Sequence, residues 1–238
     1  VYNKLQSYNR EDIVLEKLKP VATERRRQMR NDIYRYIFYS KEPVSKQQIA
    51  NALNVSRPTV LQNLLELEEA GLVEMAEIRE SQGGRPPAAY VAKGDIKMAL
   101  GVSLSANQLK FLLSDLKQNV LAYKEIDLEY QTDSDVFAIT EEQLEVFLTE
   151  NHVDRKRLLG VGITIPGVFD ENTKNLILSP TIKLKDFRIE EIRKKIPYPL
   201  YFENDGISGG VAEWLSRDAE EKKKDFVYLF LEEGVGGA

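Results

Sequence analysis

Between Val44 and Gly71 two apolar periods of helical spacing are separated by a two-residue break, which confines this stretch to two short helices joined by a tight turn. Ser45 and Gln48 stand at capping-box spacing, and Val44 and Ile49 are placed to staple the chain as it enters, so the first helix is predicted to begin at Lys46. Ile49, Ala50 and Leu53 give it one apolar face. Asn54-Val55 then turns into a second N-cap at Ser56, and the next helix starts at Arg57. Pro58 is tolerated in a first turn, where its missing N–H would be unpaired anyway. Val60, Leu64 and Leu67 repeat toward a core, leaving Arg57, Thr59, Gln62 and Asn63 to point outward. Arginine, glutamine and asparagine match the donor and acceptor patterns of base edges, and here they cluster at the helix end that enters a major groove first. The second helix therefore reads as a recognition helix.

The flanks complete a winged helix. From Thr23 to about Ser40, Ile33, Tyr34, Ile37 and Phe38 form a stripe that covers the two helices. Leu72 to Ile78 alternates as a strand would, Gln82 to Pro87 is a loop, and Ala89-Tyr90-Val91 resumes extended structure. Arg85, held between Gly84 and Pro86 at the wing tip, suits a narrow minor groove; an ordinary hairpin loop is the alternative. The net charge of −5 means that contact with DNA must rest on local charge. Arg25, Arg26, Arg27 and Arg30 crowd the start of the first long helix, and Lys46, Arg57, Arg79 and Arg85 follow.

With 238 residues, 42% of them hydrophobic, the chain has material for two cores. No apolar run is long enough to span a bilayer and no leader pattern opens the chain, so a cytoplasmic location is expected. Cys 0 and His 1 exclude thiolate and multi-histidine metal centres from these residues, and His152 is read as a surface residue near a helix end. Residues 1–20 read as an arm, 21–93 as the winged helix with a hinge at Lys93-Gly94-Asp95, and 94–238 as a second domain. There, strand-like segments at 98–104, 108–114 and 120–128 form a meander. A helix at 140–148, a strand at 159–165, a loop or hairpin at 168–179, a helix near 189–195, a strand at 200–203, a helix at 206–216 and a strand at 226–231 complete an α/β pattern.

Taken in order, the Gly-Arg-Pro wing, Leu100-Gly101-Val102, the run Gly160-Val161-Gly162-Ile163-Thr164-Ile165-Pro166-Gly167, and Glu203-Asn204-Asp205 resemble the ROK (repressor, open reading frame, kinase) family over nearly the whole chain. The resemblance implies an actin-like (ribonuclease H-like) sugar-kinase fold behind the DNA-binding domain. It also implies that the chain holds only the first lobe, with another sugar-binding carboxylate and a cysteine-rich zinc site in a second lobe. No cofactor is assigned to these residues. Kinase members carry Asp-x-Gly-x-Thr on the first hairpin, where the aspartate serves the metal; the matching positions here are Ser103, Ser105 and Asn107. A second phosphate loop appears as Glu232-Glu233-Gly234-Val235-Gly236, whose carboxylates would repel a triphosphate. ATP binding and catalysis are therefore not expected. Asn204 and Asp205 match the family's hydroxyl-binding pair, Asp205 stands at the kinase general base, and Gly167 matches the turn that lines the sugar. Asn204 or Asp205 could instead cap the helix starting at Gly206. The resemblance points to a sugar-responsive repressor, dimeric on an inverted-repeat operator, with a sugar kinase bearing a DNA-binding appendage as the alternative.

Overall fold

The computed structural model describes residues 12–15, 18, 23–76, 88–128, 135–170, 172–173, 175–218, 220–231 and 235–238. The chain divides into two compact units, one comprising residues 1–97 with the turn 115–119, the other 98–114 with 120–238. The boundary thus falls after Lys97, a few residues beyond the expected hinge.

In the first unit a one-turn helix α1 (Asp12–Leu15) precedes α2 (Glu24–Tyr39), whose N-cap is Thr23. Strand β1 (Val44–Ser45) runs into α3 (Lys46–Leu53), and α4 (Arg57–Glu69) follows. The capping box is formed as predicted: Gln48 N–H donates to Ser45 Oγ at 3.3 Å, and Ser45 N–H donates back to Gln48 Oε1 at 2.8 Å. Asn54 makes the turn in the left-handed region at φ 51°, where asparagine is better tolerated than most residues, and Ser56 caps α4. Strands β2 (Val73–Met75) and β3 (Ala89–Ala92) pair antiparallel, and β1 pairs with the other edge of β3, the sheet of a winged helix. Ile33, Tyr34, Ile49, Val60, Leu64 and Leu67 are fully buried between the helices. The wing tip, including Arg79 and Arg85, lies outside the described residues.

The second unit is built on five strands: β4 (Met98–Leu104), β5 (Gln108–Asp115), β6 (Val120–Asp127), β7 (Leu158–Ile165) and β11 (Leu200–Asn204), in the spatial order β11-β7-β4-β5-β6. β4, β7 and β11 are parallel, with Ser103 opposite Thr164 and Asn204 opposite Ile165, while β6 runs antiparallel to β5. Helix α5 (Asp135–Glu150) lies on one face, where Phe147 stacks on Phe111 with ring centroids 5.3 Å apart. It is longer than the 140–148 read from periodicity. Val136 and Phe137 are also buried, Phe137 stacking on Phe187, so its first turn belongs to the core.

After β7 the chain makes a small antiparallel sheet of β8 (Val168–Phe169), β9 (Leu176–Ser179) and β10 (Leu184–Phe187). Helix α6 (Ile189–Arg193) leads to β11, and α7 (Asp205–Ser216) follows it directly. A closing hairpin pairs β12 (Leu229–Leu231) with β13 (Val235–Gly237). The expected strand from Phe226 is thus only three residues long. The chain's one tryptophan, Trp214, is half-buried on α7, with Lys222 Nζ 5.2 Å from its ring centroid. His152 is exposed just past α5 at φ 51°. Among the described residues no helix is long and apolar enough to cross a membrane.

Leu64 touches the helical core with no exposure to solvent. Truncation to alanine should cost about 2–5 kcal/mol, read as a lowered urea midpoint of the first unit in denaturation followed by hydrogen exchange.

Candidate functional site

The first unit presents the N-terminal half of α4. Ser56 Oγ accepts from Thr59 N–H at 3.3 Å and shares a 2.8 Å hydrogen bond with the Thr59 hydroxyl, which fixes where the helix begins. Arg57 in the first turn and Gln62 in the second are exposed, the outward placement expected from the apolar period, and Thr59 is half-buried beside its cap. Lys46, at the start of α3, is half-buried with its ammonium 5.7 Å from the Tyr90 ring centroid.

Asn63 does not join this group. It is 3% exposed, and its amide donates to the Thr59 carbonyl at 2.8 Å, so it braces the helix from inside. Arg26, partly exposed, has its guanidinium paired with Glu66 on α4. Arg30, 3% exposed, reaches the same carboxylate at 3.5 Å, and Arg27 is paired with Glu24. Of the four arginines that crowd α2, Arg25 is exposed and makes no ion pair among the described residues. Glu66 stands three residues after Asn63 on α4 and shares its inward stripe.

The second unit holds a cleft of about 910 Å³ where the parallel strands end. The turn after β4 contributes Ser105 and Asn107, the turn after β7 contributes Pro166 and Gly167, and the junction of β11 with α7 contributes Asn204 and Asp205. Open α/β sheets place ligands outside the carboxyl ends of their strands, and this cleft has that position. Ser105 Oγ donates to the Gln108 carbonyl at 3.3 Å; Ser103, half-buried on β4, lies outside the lining.

Asn204 caps the helix and ties it to the neighbouring turn. Its Oδ1 caps α7 by accepting from Ile207 N–H at 3.0 Å, while its Nδ2 donates to the Gly167 carbonyl at 2.9 Å. An amide has two donors and two acceptor lone pairs, so one of each remains for the cleft. Asp205 Oδ1 accepts from Gly206 N–H at 2.8 Å, and among the described residues Oδ2 makes no hydrogen bond.

Two glycines are required by close approach. A Cβ on Gly167 would lie 2.6 Å from the Leu178 carbonyl oxygen, and one on Gly206 would lie 2.8 Å from the Gly237 nitrogen. The buried Ser179 hydroxyl ties the Pro166 carbonyl from behind. Glu232, Glu233 and Gly234 lie outside the described residues.

Residues 99–238, more than half of the chain, match the ROK family, and residues 31–80 match a family described as iron dependent repressor, N-terminal DNA binding domain. The chain belongs to the ROK family. It is 23% identical over 196 residues to a xylose repressor of Caldicellulosiruptor bescii, covering 81% of this chain and 49% of that protein. It is also 23% identical over 199 residues to the DNA-binding transcriptional repressor Mlc of Escherichia coli, covering 82% and 48%. A solved ROK family transcriptional regulator, homologous to the same E. coli protein, superposes with a TM-score of 0.58 at 22% identity, covering 89% of this chain and 54% of that one. The chain therefore spans about half the length of the curated relatives it matches. The ROK match begins at the first strand of the five-stranded sheet, and the fold is a winged helix joined to the α/β lobe of an actin-like ROK domain.

Asn204→Ala removes both the cap of α7 and the tie to Gly167. It should lower stability by at least the roughly 0.5–2 kcal/mol of a lost N-cap, measured as a reduced thermal midpoint, while Asn204→Asp, which can still cap, should recover part of it.

Proposed function

We propose that this ROK protein is a sugar-responsive transcriptional repressor whose kinase-like domain binds a sugar without phosphorylating it. The observation that carries the reading is the pairing, on one chain, of an exposed Arg57 and Gln62 at the start of a recognition helix with a strand-end cleft bearing Asp205. At the position where the kinase pattern has its metal-serving aspartate, this chain has Ser103 on β4. A hydroxyl there cannot anchor magnesium as a carboxylate does, and the catalysis of phosphoryl transfer rests on positioning and charge neutralisation of that kind. The relatives named as repressors support the same reading. The protein's partners are then operator DNA and a sugar effector, its working form is a homodimer on an inverted repeat, and its place is the cytoplasm.

The test is to select genomic fragments on the purified full-length protein and titrate the selected operator with sugars handled by the neighbouring genes. Arg57→Ala should weaken operator binding by about 1–3 kcal/mol and relax its sequence preference, if Arg57 makes a bidentate base contact. An equal loss on every sequence would make Arg57 a phosphate contact.

Effector binding that favours the DNA-free form must weaken operator binding by the same factor, typically about 1–3 kcal/mol. Asp205→Asn keeps the shape but weakens a charge-assisted acceptor, so it should blunt the sugar response and leave sugar-free operator affinity nearly unchanged. Hexose turnover with ATP at a kinase-like rate would replace this reading with that of a kinase bearing a DNA-binding domain.

A further inference from the structure

We propose that Leu61 is a specificity-determining residue of the winged helix, reading the C5-methyl group of a thymine in the major groove; the inference rests on the DNA-binding part of the reading above. The outward face of α4 is not the one that polar residue types alone would draw. Asn63 is turned inward and the Thr59 hydroxyl is held in the cap by Ser56, which leaves Arg57, Pro58, Leu61 and Gln62 exposed over the first two turns. Leu61 is 40% exposed, and Leu65, one turn further, is 57% exposed. Pro58, Leu61 and Leu65 are spaced three and four residues apart, so they form an apolar ridge on the side of the helix away from Val60, Leu64 and Leu67.

The charge around this ridge changes along the helix. The first turn holds Arg57 and no acidic residue, whereas Glu66, Glu68 and Glu69 all stand toward the other end. The positive end of the helix dipole adds to Arg57 at the start. The amino-terminal end is therefore the one suited to a groove walled by phosphates, and it carries Leu61, four residues after Arg57 and next to Gln62 in sequence. Leu65 instead has Glu68 and Glu69 as its neighbours three and four residues on, at the end that phosphates repel.

An exposed alkyl group has little to read in a major groove. Base edges there present hydrogen-bonding atoms, and among the unmodified bases thymine alone projects a methyl group. An A·T pair sets adenine N6 and N7, which match an amide such as that of Gln62, across from this methyl, so a single base pair offers a partner to each of the two adjacent side chains.

The deciding experiment takes the operator selected on the full-length protein and replaces each thymine of a half-site in turn by deoxyuridine, which deletes the methyl and leaves pairing and phosphate charge unchanged. At one thymine the wild-type protein should lose roughly fourfold in affinity per half-site at fixed salt, the worth of one methyl group removed from water. Leu61→Ala should bind the thymine and uracil operators alike, near the wild-type affinity for uracil, whereas a folding defect would weaken both and keep their ratio. Leu65→Ala, which truncates the other leucine of the ridge, should keep the preference for thymine. Wild-type binding indifferent to every thymine methyl, or a preference that survives Leu61→Ala, would overturn the assignment and leave the repressor reading standing. Failure to select any DNA would sink the repressor reading itself, and the assignment with it.

Discussion

Parallel pairing of β4, β7 and β11 is the constraint from which the cleft follows. Parallel strands all finish on the same edge of a sheet, so the turns after Leu104, Ile165 and Asn204 are delivered to one place however far apart they lie in the chain. Register does the rest. With Asn204 opposite Ile165, the residue that begins α7 sits beside the turn that follows β7, within reach of the Gly167 carbonyl. Antiparallel neighbours would have sent one of these turns to the far edge. Asn204 then converts proximity into geometry by bonding the helix terminus and the turn with the same amide.

The parts of this arrangement that are local were legible in the sequence. The capping box at Ser45 and Gln48, the second cap at Ser56 and the break between them depend on residues three positions apart, and each was found where spacing placed it. Asn63 was misread for an instructive reason. Asn63 is three residues after Val60 and four before Leu67, so period alone puts it on the buried stripe, and chemical expectation overrode the period. Arg30 precedes Ile33 and Tyr34 by three and four residues and shares their face in the same way. Strand β10 was missed because Leu184 and Phe187 are separated by two exposed, charged residues, and pairing with β9, a tertiary event, makes the segment a strand. In the cleft, the tie from Asn204 to Gly167 could not be read from sequence, since it depends on the parallel pairing that brings β11 beside β7.

Electrostatics in the first unit is spent inward as well as outward. Glu66 holds Arg26 and Arg30 against the helix that carries Arg57 and Gln62, so two of the cations that a count would leave on the surface orient α4. A charge as buried as Arg30 depends on its partner, because removing one member of a buried pair leaves the other uncompensated, typically at about 3–5 kcal/mol. The orientation of α4 and the number of exposed cations are therefore set against each other within one cluster.

Trp214 gives the molecule a built-in spectroscopic handle. It is the one indole in these 238 residues, and it sits on α7, the helix whose first residues form the polar end of the cleft. Within these residues, emission excited at the indole band is thus a single-site signal. The half-buried ring, with the Lys222 ammonium near its face, has an environment that depends on where α7 and the segment after it come to rest. A shift of α7 on occupancy of the cleft would register, without a label, at this one ring.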